Sequence, residues 1–158
     1  LYYSKHLLHI CVCCKYVTKG GYMDNSAQEL QLLYKISQTV SSRQQDISEL
    51  LNEVLQIIET ELGVLRGTLT LRKQDSDILN IEASSGLSNR QMERGEYHLG
   101  EGITGKVAKT GKVEIISDIS ESSEFLNRTK ARDDEKVAFI CVPIIHNKEV
   151  IGTISIDI

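Results

Sequence analysis

The 158-residue sequence predicts an α+β domain in which helices cover one face of a mainly antiparallel sheet and irregular segments cover the other. Three observations predict it. Two consecutive segments near the start repeat apolar residues at the helical interval. The hydrophobic period then switches to two through two pairs of hairpin-like segments. Only one short amphipathic stretch interrupts them, too little helix for a plan of parallel strands joined by crossovers. The length suits one domain, and 41% hydrophobic with 25% charged residues is globular composition. With 18 basic against 22 acidic residues the chain is too acidic for a main role in gripping phosphate backbones.

The elements follow in order. Ser26 and Glu29 form a capping box, and Leu30, Leu33, Tyr34, Ser37 and Val40 recur at helical spacing, so a first helix is expected to about Val40. Asp46 and Glu49 repeat the device ahead of Ile47, Leu50, Leu51, Val54, Leu55, Ile58 and Leu62, with Gly63 placed to end the second helix. Thr68 to Arg72 and Ile78 to Ala83 alternate around the polar turn Gln74 to Asp77, as a hairpin does. A short strand around Tyr97 and His98 precedes a helix from Ile103 to Lys109, stopped by Gly111, and then a strand from Val113 to Ile116. Ser120 to Asn127 reads as a loop or short helix. A second hairpin, Val137 to Ile145 and Val150 to Ile156, turns at His146 to Glu149.

Leu1 to Tyr22 differ in composition from everything after them. They hold no Asp or Glu but three of the four cysteines and four of the six tyrosines. The break at Met23, preceded by Lys19-Gly20-Gly21 with codons compatible with a ribosome-binding site, marks Met23 as the expected native start, residues 1–22 as a non-native or upstream-translated leader and 23–158 as the domain. The apolar run Leu7 to Cys14 lacks a signal-peptide cleavage site and falls short of the roughly 20 residues of a spanning helix. His6, His9, Cys11, Cys13 and Cys14 are chemically suited to zinc, but not at one of its common spacings. From Met23 onward 15 basic and 22 acidic residues give a net charge of -7, and Cys141 alone remains of the cysteines.

Gly100-Glu101-Gly102-Ile103-Thr104-Gly105-Lys106-Val107 matches the starts of two nucleotide motifs, and both fail in context. Val107 stands where a phosphate loop needs a magnesium-binding hydroxyl, and Glu101 would repel a triphosphate. The preceding Arg94 to Leu99 is too polar for the buried parallel strand of a dinucleotide fold. What survives is a sharp glycine turn into a helix whose first amides suit an anion, or else Glu101 itself.

The segment from Gly100 to Ile119, then Phe125 to Arg132, then Ala138 to Ile144 and Val150 to Ile158 resemble a GAF sensory domain, in particular that of bacterial nitrogen-fixation activators. The likeness runs from Ala27 to Ile158, and GAF domains of nitrogen-type phosphotransferase enzymes and sensor kinases share the glycine loop. The resemblance implies a six-stranded antiparallel sheet, amino-terminal helices behind it and a pocket in front, under the segment from about Met92 to Arg132. It implies a non-catalytic cytoplasmic domain, with a ligand-free protein-interaction or dimerisation domain as the alternative function. It also implies a homodimer paired through the amino-terminal helices, a possible nitrogen-signalling regulatory protein as partner, and neither nucleic-acid nor membrane contact. Enzymatic relatives are matched poorly. Methionine sulfoxide reduction needs a second thiol beside Cys141 and pigment attachment needs a cysteine between Met92 and Arg132, neither of which the domain has, and Lys130 replaces the phenylalanine of the cyclic-nucleotide pattern.

A small anionic effector, for which the resemblance suggests alpha-ketoglutarate, needs a forked cation and neutral donors. Arg128 is the leading candidate cation, anchored by Phe125 and Leu126, while Arg94 and Arg132 read as surface charges at the rims. Thr104 is a candidate donor at the helix start or else a plain first-turn residue. Tyr97 is expected inward and His98 outward. Phe139 and Cys141 share a strand face at period two and line the pocket floor or belong to the core. Lys106 and Lys109 read as solvated, His146 as a turn residue, and Asp118, Glu121 and Glu124 as ordinary loop carboxylates.

Overall fold

The computed structural model describes residues 26–41, 47–132 and 136–158. The leader with its histidines and cysteines, the start at Met23, the cap at Asp46 and the pair Asp134 and Glu135 lie outside the described residues. So do the side chains of Ser26 and Glu29. Helix α1 (Ser26–Ser41) and helix α2 (Ile47–Leu62) are the two periodic segments. The stripe of α2 carries Val54, Leu55 and Ile58 into the core, the last two fully buried, each contributing about 1.5–3 kcal/mol. Gly63 ends α2 at φ 65°, its amide bonded to Glu59 O at 2.9 Å.

Strands β1 (Arg66–Arg72), β2 (Ile78–Ser85), β3 (Glu96–His98), β4 (Glu114–Ile116), β5 (Phe139–His146) and β6 (Glu149–Asp157) form one sheet of order β3-β2-β1-β6-β5-β4. Every pairing is antiparallel, so the predicted α+β plan and six-stranded sheet are observed. The two predicted hairpins meet at the centre, where β1 pairs with β6 from Arg66↔Asp157 to Leu71↔Gly152. The β5–β6 turn uses Asn147 and Lys148 at φ 49° and 70°, the backbone of a two-residue hairpin whose twist matches its strands.

The period of two separates the faces. Leu69, Ile140, Val142 and Ile156 join α1 and α2 in the rear core, whereas Thr68, Thr70, Thr153, Ser155 and Asp157 turn to the front and are also buried. An irregularity pairs Leu69 with Ala83 but Thr70 with Ile81, leaving Glu82 extra. It sends Ala83 to the rear core and keeps Ile81 on the front.

Helix α3 (Asn89–Met92), absent from the sequence expectation, is a single turn capped by reciprocal bonds between Ser88 and Gln91. Helix α4 (Gly102–Thr110) carries the chain across the front from the β3 edge to the β4 edge and stops at Gly111, φ 66°. A strap from Ser117 to Arg132, with a 3-10 turn at Ile119–Glu121, covers the rest of the front. Among the described residues no helix is long and apolar enough to cross a membrane.

Candidate functional site

Between the front of the sheet, α4 and the strap lies a cavity of about 10 Å³, room for about one water. Its floor is Thr68 and Thr70 of β1, Ser155 of β6 and Phe139 of β5. Ile81 and Tyr97 close one side, Ile103 and Thr104 of α4 another, and Phe125, Leu126, Thr129 and Arg132 of the strap form the roof. Tyr97 is buried and His98 exposed, as the alternation of β3 requires.

The strap is held by specific contacts. Phe125 meets Phe139 edge to face at 5.1 Å between centroids, and the Arg132 guanidinium lies over both rings at 5.1 and 5.5 Å. Leu126 fills the space left by the missing side chain of Gly102, where a Cβ would come within 2.8 Å of it. Asn127 Nδ2 donates to Arg132 O at 2.5 Å. Below the strap, Arg132 makes a two-point ion pair with Asp157, Nε to Oδ2 at 2.8 Å and Nη2 to Oδ1 at 2.7 Å. Arg66 adds Nε to Asp157 Oδ2 at 2.9 Å and Nη1 to Ala131 O at 2.6 Å.

Arg132 corrects one expectation. It is 8% exposed and lines the cavity rather than standing at a solvated rim, because β6 supplies Asp157, 1% exposed, as its counter-ion. Arg128 lies outside the lining, exposed on the strap, and pairs with Glu101. The Glu101 side chain makes no bond to the first amides of α4; it accepts from His98 N at 2.9 Å. That bond, assisted by Arg128, holds its carboxyl below the usual range. Lys106 stays at the surface as expected, its side chain 39% exposed, and pairs there with Glu124 at 2.9 Å and Glu114 at 3.3 Å. Asp118 accepts from Ser120 N and caps the 3-10 turn.

Tyr97, Thr104, Phe125 and Phe139 therefore converge on the cavity, joined by Arg132, Thr129 and the hydroxyls of Thr68, Thr70 and Ser155 that sequence reasoning did not single out. Cys141 sits behind the lining, fully buried, and burial pushes its thiol up to about 12. It is protonated at neutral pH and hydrogen-bonded to the side chains of Thr153 and Thr104. Burial also raises the Tyr97 phenol above its ordinary value, so it remains a hydrogen-bond donor. Among the described residues no group of three His, Cys, Asp or Glu is placed to hold a metal ion.

A six-stranded antiparallel sheet with helices behind and a small strapped cavity in front defines the class of the domain. The chain belongs to the GAF domain family, whose model matches residues 44–157. It is 39% identical over 132 residues to the nitrogen fixation protein VnfA of Azotobacter vinelandii, covering 81% of this chain and 25% of that protein. Against the Nif-specific regulatory protein of Azospirillum lipoferum it is 37% identical over 142 residues, covering 87% of this chain and 22% of that one. The crystal structure of the A. aeolicus Nlh2 GAF domain in an inactive state superposes with a TM-score of 0.73 at 29% identity, covering 84% of this chain and 80% of that one. The chain spans about a quarter of the length of these curated relatives.

Proposed function

We propose that the chain is the non-catalytic sensory domain of a cytoplasmic transcriptional activator of nitrogen metabolism, and that a small anion entering the front cavity is its signal. The carrying observation is the cavity itself, which joins a buried guanidinium to several hydroxyl donors under a strap seated by side-chain contacts. Such a ligand would shift the balance between seated and raised positions of the strap, and an output follows if the two positions differ in what they offer a neighbour. The test is a titration of the chain with small carboxylates, alpha-ketoglutarate included, followed by amide NMR. Saturable shifts at Tyr97, Thr104 and Thr129 at millimolar ligand are expected. No shift with any of them, together with retained binding to a nitrogen-signalling protein, would replace this reading by a ligand-free docking domain.

A second reading, compatible with the first, concerns α1. Leu32 and Ile36 face the core, while Leu30, Tyr34 and Val40 are 69%, 61% and 55% exposed and, with half-buried Leu33, make a second apolar stripe. We infer that this stripe pairs with its copy in a homodimer. Sedimentation should give a dimer, and Leu30→Glu with Val40→Glu should give a folded monomer; a wild-type monomer at tens of micromolar would remove the dimer.

A further inference from the structure

β1 and β6 are antiparallel neighbours, paired as far as Leu71↔Gly152, so the turn that leaves β1 and the turn that enters β6 stand side by side at one end of the sheet. The carboxyl end of α4, Ala108 to Gly111, closes against them. Gly111 lies so near β6 that an added Cβ would touch Val150 Cγ2 at 3.5 Å. Together with Leu99 these pieces enclose an open groove of about 1080 Å³, room for a peptide segment rather than a single ion. It shares no lining residue with the small front cavity.

The rim of the groove is cationic. Arg72 pairs with Asp77, but Lys73, Lys109 and Lys148 are exposed, and their ammonium groups have no partner among the described residues. Two carboxylates, Asp75 and Glu149, also line the groove, so four cations against two leave an excess of two positive charges on a chain whose formal net charge is -4. The floor is apolar. Leu99, Ala108 and Val150 pack with Leu79 and Tyr97, whereas half-buried Ile145 and Ile151 join none of the three apolar clusters of the described residues. A register shift puts them there. Ile144 faces Gly152 and Ile145 faces Val150, which leaves Ile151 extra, so Val150 and Ile151 both line the groove although strict alternation would send them to opposite faces. An apolar floor inside a polar rim is the plan of a docking surface.

We propose that this groove docks an acidic segment of a partner protein, its carboxylates paired with Lys73, Lys109 and Lys148 and an apolar side chain between them seated on Ile145 and Ile151. Asp75 and Glu149 stand in the same lining and repel a continuous polyanion, so a segment that alternates acidic with apolar residues fits better than a phosphate backbone. Opposite charge speeds the encounter and sets its register, while the apolar contact supplies the part of the affinity that salt does not screen. The groove is independent of the anion proposed for the front cavity, and either reading can fail alone.

The probe is a short synthetic peptide alternating glutamate and leucine, titrated into the full chain and followed by amide NMR. It is expected to bind with a Kd below about 1 mM, with shifts at Lys73, Lys109, Lys148 and Ile151 and none at Thr68 or Thr129. Lys73→Gln, Lys109→Gln and Lys148→Gln together should weaken it about tenfold, and Ile151→Ser roughly fivefold. Lys130→Gln, outside the lining, should change nothing. The amide spectrum of each variant reports its fold. Equal binding of a counterpart with lysine for glutamate removes the charge match, and equal binding of one with serine for leucine removes the apolar match; either overturns the proposal. Tighter binding of an oligothymidylate at the same amides assigns the groove to nucleic acid, and shifts there on diluting the chain alone assign it to a second copy. Both results overturn the proposal, as does the absence of saturation at about 5 mM peptide.

Discussion

Replacing Asp157 by alanine is expected to cost about 3–5 kcal/mol of folding stability, a large part of the roughly 5–15 kcal/mol available to a domain of this size. The carboxylate is 1% exposed and accepts three guanidinium hydrogen bonds, two from Arg132 and one from Arg66. Without it Arg132, 8% exposed and sandwiched against Phe125 and Phe139, is a cation in an apolar niche with no counter-ion. Arg66 is better placed to survive, since Nη1 keeps Ala131 O and its side chain is 17% exposed. The double variant Asp157→Leu with Arg132→Leu should therefore lose much less than the sum of the single losses, because it removes both buried charges together. Urea unfolding of the singles and the double measures the coupling. Additive losses would show that the pair is solvated in solution and contributes little to holding the strap.

How far the sequence foretold this arrangement depends on whether a feature is local. The stripe Val54, Leu55, Ile58 repeats within one helix, and Gly63 and Gly111 stop their helices by a backbone conformation that glycine adopts freely, so these were legible. Alternation required that only one of Tyr97 and His98 face inward, and the preferred Tyr97 is the buried one. Arg132 was misread because its partner lies 25 residues away on another strand, and a lone arginine in a polar loop reads as solvated. The hydroxyls of Thr68, Thr70 and Ser155 drew no separate reading, because small polar residues at alternate strand positions also suit a solvated face. Their signal was present nonetheless: β1 and β6 come from different hairpins and both carry small hydroxyl residues at alternate positions, which suits a covered polar face in the middle of a sheet. The extra residue at Glu82 left no mark, since a period-two pattern shifts by one only when the register of the partner strand is known. Helix α3 is a single turn and too short to show a helical period.

Gly105→Ala is expected to destabilise the domain by about 3 kcal/mol, although alanine is by itself the better helix former by about 1 kcal/mol. Gly105 lies inside α4, where the glycine turn folds back so closely that an added Cβ would lie well inside contact distance of the His98 carbonyl oxygen and 3.1 Å from Gly100 N. Both obstacles are backbone, so no rotamer change relieves them. They are also engaged: His98 O accepts from Glu101 N at 2.9 Å, and Gly100 N donates to Gly105 O at 2.7 Å. Displacing either breaks the turn that sets Thr104 against the cavity, so the loss of stability should come with altered amide shifts at Thr104 and Tyr97. Gly63→Ala provides the contrast. Nothing lies within 4 Å of its added Cβ, and only its φ of 65° opposes a side chain, a strain of about 1–2 kcal/mol. Urea midpoints should therefore rank wild type above Gly63→Ala and Gly63→Ala above Gly105→Ala. A Gly105→Ala protein as stable as wild type would mean that the turn is looser than this packing, and that the glycines of Gly100 to Gly105 leave their backbone open to a ligand after all. The predicted order instead assigns them to close packing, Gly105 against the end of β3 and Gly102 against Leu126 of the strap, which is why a run resembling two nucleotide motifs requires no nucleotide to explain it.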